Sequence, residues 1–182
     1  MALKDTPVCD FGWKAPDFTM KTPAGLAYTM SDQLGDKGLL IAFLCNHCPY
    51  VKAITSRFAE DTKELMAAGI NVLGVMSNDY RDYPEDAPDK MVDFAAAAGW
   101  SFPYLVDEDQ SVGKAYNAVC TPDFFGFNAK GELQYRGRLD DARMNEDPSR
   151  TRELVIAMTQ IAETGKGPKD QTPSMGCSIK WS

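Results

Sequence analysis

The stretch Gly38-Leu39-Leu40-Ile41-Ala42-Phe43-Leu44-Cys45-Asn46-His47-Cys48-Pro49 decides how the rest of the chain is read. Up to Leu44 it is continuously apolar, the pattern of a strand buried on both faces. Just past Cys48 the period changes, and Val51, Ile54, Phe58 and Leu65 recur at helical spacing until Gly69. The junction therefore predicts two thiols on the first turn of a helix. Unpaired backbone N–H groups and the positive end of the helix dipole favour a thiolate there. The thiolate is the nucleophile of disulfide exchange, so the placement makes an inert cysteine reactive. The only histidine of the chain, His47, sits between the two thiols.

Working outward, Ile70 to Met76 reads as a second buried strand, and Asp89 to Ala98 as a helix built on Met91, Phe94 and Ala95 and stopped by Gly99. Upstream, Phe18-Thr19-Met20 and Leu26-Ala27-Tyr28 flank Thr22-Pro23-Ala24-Gly25 and predict a short hairpin. Downstream, Phe102 to Val106 predicts a short strand and Gln110 to Tyr116 a brief helix. Phe124 to Phe127 and Leu133 to Arg136 are strands joined by the close turn Asn128-Ala129-Lys130-Gly131, hence antiparallel. Asp147-Pro148 predicts the opening of a last helix, with Leu154, Met158 and Ile161 as its apolar stripe and Gly165 as its end. The fold class is α/β: one domain over residues 1–182 with a central mixed sheet flanked by helices. An N-terminal β-hairpin extension precedes it, residues 1–11 form a flexible start and residues 165–182 an irregular tail.

Composition narrows the function. The chain has 182 residues, enough for a full core without covalent staples. A net charge of −7 and no basic cluster argue against nucleic acid and anionic membranes as partners. The first residues lack the apolar core of a signal peptide and no later run is long enough to span a bilayer, so the expected location is the cytoplasm. Five cysteines, an odd number, speak against a disulfide scaffold, and a Cys-x-x-Cys pair in a reducing compartment points to catalysis or metal. Zinc commonly takes four ligands from two pairs. No second Cys-x-x-Cys exists and the only histidine lies inside the first, so the reading assigns no metal and no cofactor, with a non-catalytic, zinc-binding module as the minor alternative.

Ala15-Pro16-Asp17-Phe18, the Cys45–Cys48 motif after a strand, Phe102-Pro103-Tyr104-Leu105-Val106-Asp107 and Thr121-Pro122 follow one another in an order that resembles the thioredoxin-like proteins of the peroxiredoxin (AhpC/TSA) branch. The resemblance covers roughly Gly12 to Thr164. It implies a thioredoxin-like fold and a thiol-disulfide oxidoreductase, in which the Cys45 thiolate attacks a substrate disulfide and Cys48 resolves the mixed disulfide. The implied partners are a disulfide-containing substrate and an external thiol reductant. It also implies that Pro122 has a cis peptide bond and faces the dithiol, leaving the backbone of Thr121 free to pair with a substrate strand. Disulfide isomerases and strong thiol oxidants share a histidine at the place of His47, which implies a tuning role. A protonated His47 would stabilise the Cys45 thiolate and set a potential between the about −270 mV of thioredoxin and the about −120 mV of the strongest oxidant.

With Pro122 cis, Cys120 lies near the dithiol as a possible third thiol, although a small buried hydrophobe is its ordinary role. Cys177, on the tail, reads as incidental. The loop from Asp79 to Asp89 reads as capping and solvating the next helix through Glu85, Asp86 and Asp89, and Arg136 and Arg138 as solvated charges. The alternative activity is thiol peroxidase. In peroxiredoxins a Pro-x-x-x-Thr/Ser-x-x-Cys sequence places the peroxide-reacting cysteine, which aligns with Cys48. Ile41 and Cys45 stand at the proline and hydroxyl positions, which moves the reading from peroxides to disulfides.

Overall fold

The computed structural model describes residues 2–182. The strands are β1 (Leu3–Asp5), β2 (Thr19–Lys21), β3 (Ala27–Thr29), β4 (Leu39–Phe43), β5 (Asn71–Met76), β6 (Tyr104–Val106), β7 (Cys120–Thr121), β8 (Asp123–Phe127), β9 (Leu133–Tyr135) and β10 (Met175–Ser178). The helices are α1 (Met30–Gln33), α2 (Pro49–Lys52), α3 (Thr55–Ala67), α4 (Pro88–Ala98), α5 (Ser111–Ala115) and α6 (Glu153–Thr164). Seven strands form one mixed sheet in the order β3-β2-β6-β5-β4-β8-β9, with β4 parallel to β5, β5 parallel to β6, and β8 antiparallel to both β4 and β9.

The apolar run that opened the reading is the middle of this sheet. Every residue of β4 is buried, because alternate side chains enter different cores. Leu40 and Ala42 join Phe58, Leu65, Met91, Leu154 and Met158 on the face covered by α3, α4 and α6. Leu39, Ile41 and Phe43 join Met30, Val112, Tyr116 and Phe127 on the other. The predicted hairpin is β2–β3, with Thr19 opposite Thr29. Gly99 and Gly165 end α4 and α6 in the left-handed conformation, at φ 74° and 76°, where glycine carries no Cβ penalty.

Four expectations need correction. The helix after Cys48 is two pieces: α2 stops at Lys52 and α3 begins at Thr55, with the freed Ala53 carbonyl accepting from Arg57 Nη1 at 3.2 Å. The last helix begins at Glu153, not at Pro148. Asp147 instead closes a turn on Ser149, accepting from its backbone N–H at 2.9 Å and its hydroxyl at 2.7 Å. Residues 150–152 are then held against α3 by Arg150 and Arg152, which both bind Asp61. Thirdly, the start and the tail are not wholly irregular: β1 and β10 pair with each other, and β10 pairs with β7, in a second sheet ordered β1-β10-β7. Finally, Arg136 is buried rather than solvated. It binds Asp123 through Nη2 at 2.9 Å and lies over the Phe125 ring at 4.3 Å, while Arg138 pairs with Glu153 at 2.8 Å.

Candidate active site

Leaving β4, the chain turns through Leu44 to His47 and enters α2 with Cys48 at the N-cap and Pro49 at its first position. Cys45 and Cys48 are 1% and 0% exposed, and both are free thiols. The bond between Thr121 and Pro122 is cis, and this pair faces the dithiol. Cys45 Sγ lies 3.3 Å from Thr121 Oγ1, and Cys48 Sγ lies 3.3 Å from the Thr121 carbonyl oxygen. Beyond Pro122 a cleft of about 510 Å³ opens between Tyr50, Ile54, Phe124, Arg138 and Met175, a mainly apolar lining that also carries charges of both signs, Asp5 and Asp140 beside Arg138 and Arg143.

The strand period separates the two neighbours of the dithiol on β7. Thr121 faces the sulfurs, so Cys120 faces away, and its thiol donates to the Pro122 carbonyl at 3.7 Å. Burial pushes its pKa far up, which suits the hydrophobe role. The third thiol is Cys177. In the β7–β10 register Cys177 is the partner of Thr121, and directly paired residues share a face. Its Sγ is 2.9 Å from Cys48 Sγ, and the residue is 3% exposed. Cys177 is thus in the dithiol cluster, contrary to the incidental role read from its place on the tail. The same pairing shows that the edge of Thr121 is covered by the chain's own strand.

Cys45 and Cys48 titrate as a pair, with their pKa values pushed apart. The neighbouring Cys45 thiol, and after it the Cys177 thiol, draw the Cys48 pKa down to about 4 against the opposing effect of burial. Cys45 goes the other way. Sharing its proton with Cys48 raises its pKa, as do burial and the nearby Asp86 carboxylate, and only the Thr121 hydroxyl opposes them. Of the two, Cys48 is the more readily ionised, whereas the expectation from the sequence placed the thiolate on Cys45.

Asp86 is a site residue that the sequence reading missed. It is fully buried, accepting from the Asn46 backbone N–H at 2.7 Å and from Asn78 Nδ2 at 2.9 Å, with His47 Nδ1 at 2.7 Å from its Oδ2. The loop after β5 therefore reaches back to hold the Cys-x-x-Cys turn instead of solvating α4. Asn46 completes the clamp, accepting from the Tyr104 hydroxyl at 3.0 Å and donating to the Glu85 carbonyl at 3.0 Å. The His47 ring stacks on Tyr83 with centroids 5.7 Å apart. An acid that follows a strand end by about one loop length was the available signal, but its charge pointed to the surface. Cys45, His47 and Asp86 offer sulfur, nitrogen and oxygen within 4.8 Å of one another, a donor set that zinc accepts. Here the imidazole Nδ1 and the Asp86 carboxylate lie 2.7 Å apart and hold the turn.

A seven-stranded mixed sheet with a dithiol at the end of β4 and a facing cis-proline defines a thioredoxin-fold thiol protein. The AhpC/TSA family model matches residues 11–136, and the chain belongs to that family, within the peroxiredoxin-like branch of the thioredoxin superfamily. An uncharacterized conserved protein of Geobacillus kaustophilus is 38% identical over 100% of this chain and 97% of its own, with a TM-score of 0.93. A Mycobacterium tuberculosis protein whose name places it with the peroxiredoxins is 25% identical over 85% of this chain and 87% of its own. A Chlorobium tepidum structure named for thiol:disulfide interchange shares the fold, with 19% identity, a TM-score of 0.63, and cover of 85% of this chain and 99% of that one. No helix of the described residues is long and apolar enough to cross a membrane.

Proposed function

We propose that the protein is a thiol-disulfide oxidoreductase whose redox pair is Cys45 and Cys48. The observation that carries this reading is the unbridged pair itself: two buried free thiols opposite the cis Thr121-Pro122 pair, each sulfur 3.3 Å from an oxygen of Thr121. The Cys48 thiolate attacks one sulfur of a substrate disulfide and expels the other as a thiolate, leaving a mixed disulfide on Cys48. Cys45 then attacks the Cys48 sulfur as its proton passes to the departing substrate thiolate, and the Cys45–Cys48 bridge forms. Two electrons have moved from the dithiol to the substrate, and an external thiol reductant restores the pair. His47 acts through Asp86 as a positioning residue, holding the carboxylate and with it the Cys-x-x-Cys turn in place. The cleft beside Pro122 is the approach for a disulfide carried on a peptide or a small molecule.

The test is trapping. Cys45→Ser combined with Cys177→Ser removes both thiols beside Cys48, so a disulfide substrate is expected to remain attached to Cys48. If Cys48→Ser traps through Cys45 instead, the order of attack is the reverse and the dithiol reading stands. If neither variant holds a substrate while both fold, the dithiol reading is wrong. The low pKa of Cys48 also favours one further reaction, attack on hydrogen peroxide with a sulfenic acid on Cys48 resolved by Cys45. Rapid-mixing kinetics separate the two: a fast peroxide phase lost in Cys48→Ser and kept in Cys45→Ser marks a peroxidase. The acidic chain and its five unbridged cysteines suit a reducing compartment, which we take to be the cytoplasm.

A further inference from the structure

The redox pair is not the whole of the thiol cluster. Cys177 lies outside residues 11–136, the part matched by the family model, and 129 positions from Cys48. Yet its sulfur is 2.9 Å from that of Cys48, and both are buried. Three features put it there. The β7–β10 register sets Cys177 opposite Thr121, on the face of the sulfurs. Gly176 lies so close against the Thr121 carbonyl that any Cβ would collide with it, which seats the strand tightly. β1 pairs along the far side of β10, with Leu3 opposite Cys177, and fixes its outer edge.

We propose that Cys177 is a third redox thiol, which takes over the disulfide from Cys45 through Cys48 and so fastens the C-terminal strand across the site. This rests on the dithiol reading above. The step is an exchange with no net oxidation. The Cys177 sulfur attacks Cys48 Sγ of the Cys45–Cys48 bridge, the Cys48–Cys177 bond forms, the Cys45–Cys48 bond breaks, and the Cys177 proton ends on Cys45. The oxidant is the substrate disulfide that made the first bridge. In the reduced protein Cys177 is held as a thiol, its pKa pushed up to about 12 first by burial and then by the Cys48 thiolate beside it. Once Cys48 is bridged its charge is gone, so two of those causes vanish while the Lys180 ammonium, which acts in the opposite direction, remains. Oxidation of the pair thus removes the part of the restraint that comes from Cys48, while burial continues to hold the thiol protonated. The outcome is a second oxidised state, with Cys45 returned to the thiol and Cys48 locked beneath β10.

Disulfide mapping of the full chain tests this. The reduced protein, and its Cys45→Ser, Cys177→Ser and Cys177→Ala variants, are equilibrated with glutathione disulfide, alkylated and mapped by peptide mass spectrometry. We expect both Cys45–Cys48 and Cys48–Cys177 peptides from the unmodified sequence, Cys48–Cys177 from Cys45→Ser, and Cys45–Cys48 alone from either Cys177 variant. Full alkylation of Cys177 in both the unmodified protein and Cys45→Ser overturns the proposal. If Cys45–Cys48 still forms in that case, the dithiol reading survives. Absence of Cys45–Cys48 from the Cys177 variants overturns the dithiol reading, and Cys45→Ser, which keeps Cys48 and Cys177, then decides the third thiol by itself.

Discussion

His47 Nδ1 and Asp86 Oδ2 lie 2.7 Å apart, and the carboxylate that makes this contact is wholly buried. The same group accepts from the Asn46 backbone and from Asn78, so it holds both the turn and the end of β5. Asp86→Ala leaves buried donors without partners, at a cost of about 2–4 kcal/mol. Asp86→Asn keeps the shape and removes the charge. That charge raises the Cys45 pKa, so its removal stabilises the reduced dithiol at alkaline pH, where Cys45 ionises, and makes the disulfide more oxidising there. A one-unit change in thiol pKa corresponds to about 1.4 kcal/mol, or about 30 mV for this couple. Equilibration of Asp86→Asn with a glutathione buffer at alkaline pH measures it, and a potential equal to or below that of the unmodified protein contradicts the role given to Asp86.

The proton shared by Cys45 and Cys48 gives the reduced protein a defined pH response. Cys48 is drawn down to about 4 from an ordinary thiol value of about 8.5. A group whose folded pKa is depressed adds stability that is complete above its unfolded pKa and lost as pH falls through the folded one. Relative to Cys48→Ser, the reduced protein is therefore expected to gain stability as pH rises from about 4 to about 8.5. Cys45, raised in the folded state, reverses the trend above the ordinary thiol range, where the unfolded chain ionises and the folded one does not. Urea unfolding of the two proteins in reductant across this window measures the difference. A difference independent of pH would place the thiolate elsewhere.

Much of this site was legible in the sequence, and the reasons for the rest are physical. The apolar run of β4, the Cys45–Cys48 spacing and the glycine stops at Gly99 and Gly165 are local signals, and each specifies its own element. The cis bond at Pro122 followed from a resemblance in motif order, since X-Pro bonds are cis in only about 5–6% of folded cases. Cys177, Asp86 and Arg136 were misread for one shared reason. Each owes its role to a partner 129, 39 or 13 positions away, at Cys48, His47 and Asp123. A charged or tail residue with no local pattern defaults to the surface, and only the sheet register or loop return shows otherwise. The Asp147-Pro148 signal failed differently: its turn is real, but long-range ion pairs hold the next residues away from the helix.

Gly176 offers a direct handle on the cover over the dithiol. A methyl group there meets the Thr121 carbonyl, so Gly176→Ala is expected to push β10 off β7. Cys48, which is 0% exposed, and Cys177, 3% exposed, then become reachable. Alkylation of the reduced variant should speed up at both residues, by on the order of tenfold if local opening becomes about 1.4 kcal/mol easier. The far-ultraviolet spectrum should stay unchanged, because β4 and its neighbours lie in the other sheet. Unchanged alkylation rates would show that β10 does not control access to the thiols.

Asp61 on α3 is the anchor that sets where the last helix begins. It is wholly buried and accepts from Arg150 Nη1 and Nη2 at 2.8 and 2.7 Å, and from Arg152 Nε and Nη2 at 2.9 and 2.7 Å. Breaking a buried ion pair by removing one partner costs about 3–5 kcal/mol, because the remaining charge stays desolvated. Arg150 keeps Asp140 at 3.0 Å, so Asp61→Ala is expected at the lower end of that range. For a domain of this size that is a fall in melting temperature on the order of 10 °C. Arg152 is only partly covered and turns to solvent, so most of the cost comes from Arg150. The double variant Asp61→Ala with Arg150→Met removes the stranded charge as well and should recover part of the loss. A single variant within about 0.5 kcal/mol of the unmodified protein, the usual range for a surface substitution, would show that Asp61 does not anchor the segment.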